Sequence, residues 1–139
     1  MSQESTSPDL VELNRRLLEA GNRHDFDAVM SFYAPDAVWE GRASGMAFEG
    51  RTEIRGFWED MTAAYEEFEW RSEEILDLGN EVTFVVSRAS GRPVGSTGWV
   101  ELRLAIVAAW EEGLIVRGTT YTDIDEARAA AGRLAESRE

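Results

Sequence analysis

The chain contains no cysteine, which excludes disulfides, thiolate nucleophiles and sulfur-rich metal sites together. It has a single histidine, His24, next to Asp25 in an expected turn between the first two helices, where a solvated residue is more common than a catalyst. No cluster of His, Asp and Glu has metal-ligand spacing, so neither a metal nor another cofactor is expected. Positive charge is also short: 14 Lys plus Arg face 27 Asp plus Glu, and the formal net charge of -13 repels a phosphate backbone or an anionic membrane surface. Nucleic acid and membrane are therefore not expected partners. The first nine residues lack a basic region followed by an apolar run, so neither a signal peptide nor a membrane anchor is read there, and a cytoplasmic protein is expected.

What is present is a core. At 139 residues the chain is one domain long, and its 43% hydrophobic and 10% aromatic content is enough to bury one. Residues 1–8 read as a flexible N-terminal tail. Ser7 is a candidate cap with Pro8 at the first helical position, and Leu10, Leu13 and Leu17 mark one face of a first helix as far as Gly21. Asp25 caps a second helix whose stripe of Phe26, Val29, Met30 and Tyr33 stops at Pro35. A short strand over 37–41 carries Trp39, a loop runs from Arg42 to Phe48, and Ile54, Phe57, Trp58, Met61 and Tyr65 recur at helical spacing.

Beyond Glu66 the period becomes two. Phe68, Trp70, Ser72, Glu74, Leu76 and Leu78 share one phase, Gly79-Asn80 turns the chain, and Val82, Phe84, Val86 and Arg88 continue up to a Gly/Pro/Ser-rich loop from Ser90 to Thr97. Val100, Leu102, Leu104, Ile106, Ala108 and Trp110 form the longest alternating run, which Glu111-Glu112-Gly113 turns into Leu114 to Thr122. Four consecutive strands predict an antiparallel meander. Asp123 with Glu126 predicts a capping box for a last helix with Ile124, Ala127, Ala131 and Leu134 inward. The layout is α+β: a curved antiparallel sheet forming a cone-shaped barrel over three helices, with an added C-terminal helix. Such curvature leaves a hollow suited to a flat apolar ligand.

This order of elements, with Tyr33-Ala34-Pro35-Asp36-Ala37-Val38-Trp39, Gly50-Arg51-Thr52-Glu53-Ile54-Arg55-Gly56-Phe57-Trp58 and Glu112-Gly113-Leu114-Ile115-Val116, resembles the SnoaL-like branch of the nuclear transport factor 2-like superfamily. The resemblance covers residues 9–124 and leaves 125–139 as a C-terminal helix and tail. It implies a conical barrel, usually a homodimer through the outer sheet face, and a pocket that serves polyketide cyclases, ketosteroid isomerases and epoxide hydrolases in different members. The isomerase base falls on Gly41, its oxyanion-binding tyrosine near Leu17 and its protonated aspartate near Ile106. The epoxide hydrolase triad falls on Val86, Arg88 and Thr120, and the cyclase histidine has no counterpart in the pocket. None of these chemistries carries over.

Two charged residues remain as candidate catalysts. A three-residue turn at Gly79-Asn80 brings Glu74 opposite Val86 and diagonal to Arg88, where Glu74 serves as acid or base and Arg88 as an anion partner. The competing readings are a charge-compensated pair in water, or a phase shift that turns Ile75 inward and Glu74 out. The expected ligand-binding set is Tyr33, Trp39, Trp58, Met61, Trp70, Val86, Arg88, Ile106, Trp110 and Thr120, either lining an open pocket or filling it. Outward alternation of Trp99, Arg103, Val107, Ile115, Arg117 and Tyr121 suggests a homodimer surface. Three functions are compatible with this reading: a binding protein for a small hydrophobic molecule, an isomerase, cyclase or dehydratase, and a non-catalytic dimeric module.

Overall fold

The computed structural model describes residues 9–42 and 44–138; the expected Ser7-Pro8 cap and the N-terminal tail lie outside them. Asp9 performs the capping, its side chain accepting from the Glu12 N–H at 3.1 Å, and helix α1 runs Leu10–Asn22. Asp25 caps α2 as expected, through the Ala28 N–H, but α2 is a single turn, Phe26–Met30. Strand β1 then spans Tyr33–Gly41, so Tyr33 is a strand residue and Pro35 does not end a helix. The register of β1 against its parallel partner jumps between Tyr33 and Val38; in that unpaired stretch the missing N–H of Pro35 costs no ladder bond.

The segment expected to be a loop contains strand β2, Ala47–Glu49, which folds back on β1. Helix α3, Gly50–Ala63, starts with the Glu53 carboxylate reaching back one turn to accept from the Glu49 N–H at 2.8 Å. The strands β3 (Tyr65–Asp77), β4 (Val82–Pro93), β5 (Val100–Glu111) and β6 (Leu114–Tyr121) form the expected meander, and Tyr65 opens β3 instead of closing α3. Glu112 and Gly113 both adopt positive φ, 52° and 81°, which matches the two-residue turn between twisted antiparallel strands. The last helix, α4 (Ile124–Ser137), is capped by Asp123 accepting from the Glu126 N–H.

The sheet order is β2-β1-β6-β5-β4-β3. It is mixed, not antiparallel, because β1 lies parallel to β6. The fold is an α+β cone in which α1, α2 and α3 pack on the concave side, where Leu17, Val29, Met30, Ile54 and Trp58 meet Trp110 and Ile115 in one buried cluster. The convex side is covered by α4. Ala127, Ala131 and Ala135 recur every four residues and are buried against Val82, Phe84, Val86, Ala105 and Val107, the small side chains letting helix and sheet approach closely. That contact takes up part of the expected dimer surface: Val107 and Tyr121 pack in the α4 cluster and Ile115 is buried on the concave side, while Trp99, Arg103 and Arg117 stay exposed, Arg117 pairing with Glu40 at 2.7 Å. No helix among the described residues is long and apolar enough to cross a membrane.

Candidate functional site

A cavity of about 110 Å³ lies between α1, α3 and the concave face. Three tryptophans shape it, and each is seated by a feature of the neighbouring chain. Trp39 of β1 is registered with Gly118 of β6, where a Cβ would overlap the indole ring. Trp58 of α3 lies over Gly21 near the end of α1, where a Cβ would come within 3.1 Å of the ring. Trp70 of β3 is held through its backbone: the Asn22 side chain donates to the Trp70 carbonyl at 2.9 Å and accepts from the Trp70 N–H at 2.7 Å. Because β3 is an edge strand, Asn22 there acts as a one-residue strand partner. The rings contact one another, with Trp58 and Trp70 centroids 6.2 Å apart and Tyr33 edge-on to Trp39 at 5.9 Å.

Polar groups in the wall are few and neutral. Asn14 donates to the Leu10 carbonyl at 2.9 Å, and Thr120 donates to the Glu40 carbonyl at 3.3 Å. Two further groups have no partner: the Tyr33 hydroxyl and the Trp58 indole nitrogen are buried and unbonded among the described residues. Burial pushes the Tyr33 phenol well above its ordinary pKa, the nearby Trp58 N–H offsetting this only in part. None of the lining residues is Asp, Glu, His or Arg. The wall can therefore bind, orient and donate hydrogen bonds, but it holds no proton carrier that titrates near neutral pH. A second hollow of about 210 Å³ shares Met61, Trp70 and Leu104 with the first and extends over Gly91 to Val100 and Leu102, which are half-exposed.

Seven of the expected ligand-binding residues line this cavity: Tyr33, Trp39, Trp58, Met61, Trp70, Ile106 and Thr120. Val86, Arg88 and Trp110 do not. The register of β3 on β4 slips between Ser72 and Glu74, so that Ser72 faces Ser87 while Glu74 faces Val86. One extra residue at Glu73 reverses the alternation. Glu74 therefore points to the convex side and pairs with Arg128 of α4 at 3.2 Å, while Val86 is buried beneath α4. Arg88 follows the same phase and is held by Glu73 at 2.7 Å and Glu101 at 2.9 Å. The proposed catalytic pair is thus a correction: both charges sit outside the cone with other partners. Trp110 is fully buried, its indole N–H donating to Thr83 at 2.9 Å, and it serves the core instead of the cavity. His24 stacks on Phe26 in the α1–α2 turn, away from the cavity.

Sequence reasoning did not assign Asn14, Leu17, Leu18, Phe57, Val85, Leu104, Ala108 or Ile115 to the lining. Phe57, Leu104 and Ala108 were legible from their own periodicity, since they share a face with assigned neighbours. Val85 was not, because Val82 to Ser87 is buried on both faces and shows no alternation to read. No group of three or more His, Cys, Asp or Glu among the described residues is placed to hold a metal.

The sequence pattern of the SnoaL-like domain matches residues 14–118. No curated protein matches. Among solved structures, a nuclear transport factor 2-like protein of unknown function from Burkholderia pseudomallei is 21% identical with a TM-score of 0.74, covering 90% of this chain and 98% of its own. A hypothetical protein with a ketosteroid isomerase-like fold from Catenulispora acidiphila, in complex with trimethylamine, is 17% identical with a TM-score of 0.73, covering 91% and 95%. A putative polyketide cyclase from Sinorhizobium meliloti is 26% identical with a TM-score of 0.66, covering 86% and 100%.

Proposed function

The chain belongs to the SnoaL-like domain family, and from that premise we propose that it binds a small, neutral, apolar molecule between α1, α3 and the concave sheet face. The observation that carries this reading is the composition of the wall: aromatic and aliphatic side chains, with only uncharged hydrogen-bonding groups among them. A charged ligand would lose its hydration there without gaining a counter-ion. An apolar one gains roughly 25 cal/mol for each Å² removed from water, less the cost of immobilising it. The neighbouring hollow past Met61, Trp70 and Leu104 gives a longer ligand room to extend toward the half-exposed Val100 and Leu102.

An isomerase, cyclase or dehydratase on this scaffold would need a proton carrier inside the cone. Glu74 and Arg88, the charges first considered for that role, are engaged by Arg128, Glu73 and Glu101 on the other face. The trimethylamine of the Catenulispora protein is not carried over. Near neutral pH that amine is a protonated cation, which has no free lone pair for the Tyr33 and Trp58 donors and meets no carboxylate among the lining residues.

Indane, a rigid hydrocarbon of nine carbons, tests the proposal. Titration followed by calorimetry and by quenching of the cavity tryptophans is expected to give saturable one-to-one binding with Kd on the order of 100 µM. Ile106→Trp, which fills the cavity, is expected to abolish it. Failure of both indane and naphthalene to bind saturably would overturn the proposal.

A further inference from the structure

We propose that Tyr33 and Trp58 form a two-donor subsite that takes the carbonyl or quinone oxygen of a neutral ligand. This deepens the binding reading above and rests on it. The two groups come from different elements, Tyr33 from β1 and Trp58 from α3, and both line the same cavity. Tyr33 is completely buried and Trp58 is 6% exposed; the indole N–H lies close enough to the phenol oxygen to act on it, yet neither group has a hydrogen-bond partner outside the pair among the described residues.

Buried donors are nearly always satisfied, and an orphan asks for an explanation. The fully buried indole of Trp110 meets the rule, donating to Thr83. Asn14 and Thr120, the other polar wall residues, also spend a proton within the fold. Among the lining residues the unmet demand is thus confined to one pair, the other unpartnered buried hydroxyl, Ser87, lying outside the cavity wall, and its sign is defined. An indole N–H only donates, and a phenol hydroxyl can donate while accepting from its neighbour. What completes them is a lone pair.

The wall around the pair narrows the class further. It contains no cation to balance a carboxylate or phenolate, so a charged acceptor is disfavoured by desolvation. A ketone, quinone, ester or lactone oxygen supplies lone pairs without charge or protons of its own. Its carbon body then lies among Trp39, Phe57, Trp70 and Ile106.

1-Indanone and indane share a shape and differ by one carbonyl, which isolates the subsite from the pocket. After correction for partition between water and cyclohexane, 1-indanone is expected to bind about tenfold more tightly than indane. In Tyr33→Phe this preference falls toward one, while indane itself binds at least as well as before; Trp58→Phe reduces the preference in the same direction. The infrared carbonyl stretch of bound 1-indanone is expected at lower frequency than in cyclohexane, a wild-type measurement that needs no variant. If indane binds but the corrected preference is near one, or the stretch is unshifted, the subsite is refuted and the pocket stands. If the preference survives Tyr33→Phe unchanged, the tyrosine has no part in it. If neither compound binds, the pocket reading itself fails.

Discussion

Gly118→Ala tests how the cavity is built, because the expected penalty comes from one contact. Gly118 sits in the interior of β6, registered with Trp39, and its φ is not among the positive values in the chain. An alanine is therefore acceptable to the backbone, and in a strand it would ordinarily stabilise by about 0.5–1 kcal/mol relative to glycine. The added Cβ overlaps the Trp39 ring, and that ring is only 7% exposed. It has to lift off the sheet into the cavity, and overpacking of this kind costs about 1–3 kcal/mol.

A double-mutant cycle separates the overlap from everything else. Trp39→Leu alone removes ring atoms from the core and is expected to cost about 2–4 kcal/mol. Once the ring is gone, the alanine meets nothing, so the double variant is expected to be more stable than the sum of the singles by about 1–2 kcal/mol. Urea unfolding followed by far-ultraviolet circular dichroism measures all four species without relying on tryptophan emission. Gly118→Ala on its own is also expected to weaken indane binding severalfold, since the displaced ring occupies ligand space. A cycle additive to within about 0.5 kcal/mol would refute the account of how Trp39 is seated.

Other expectations follow from single contacts. Tyr33→Phe removes an unbonded buried hydroxyl, so the ligand-free variant is expected to gain up to about 1 kcal/mol in urea unfolding, where a bonded tyrosine would lose a similar amount. Asn22→Ala releases both backbone groups of Trp70; it is expected to cost about 1–2 kcal/mol and to speed hydrogen exchange at the Trp70 amide. Hydrogen bonds from Arg103 and then Arg88 hold the Glu73 carboxyl below its ordinary value of 4.5. The unfolded chain therefore takes up that proton first, so the contribution is intact above about pH 4.5 and drains away as pH falls toward the lower folded value; in Glu73→Gln this part of the acid limb of stability against pH is expected to flatten. Ala131→Glu places an unpaired charge on the completely buried face of α4, and a loss of about 3–5 kcal/mol in the same unfolding assay is expected.

How much of the site was legible follows from where the strands keep step. The register of β5 against β4 has no irregularity, so alternation read from Val100 onward correctly put Ile106 toward the helices. On β3 the same reading holds for Phe68 and Trp70 and then fails at Glu73, because alternation counts residues and a bulge adds one without changing composition. Ile75, paired with Val85, takes the concave side that Glu74 was expected to occupy. The error then spread to β4, whose continuous burial offers no phase of its own and whose orientation was inferred from Glu74.

Pro35 failed for a related reason. Proline marks a backbone N–H that is not needed, and both a helix end and an unpaired strand segment satisfy that condition. The amphipathic pattern of α4 was visible, but its partner was not: a stripe of alanines specifies a close neighbour, not which neighbour. Once α4 is docked on the convex face, Val107 and Tyr121 of the surface expected to join two copies pack within one, while Trp99, Arg103 and Arg117 remain exposed. Arg128 then sits over Phe84 at 4.7 Å and takes Glu74 as its ion partner. The bulge at Glu73 thus turns Glu74 out of the cone, and α4 supplies the partner that holds it there.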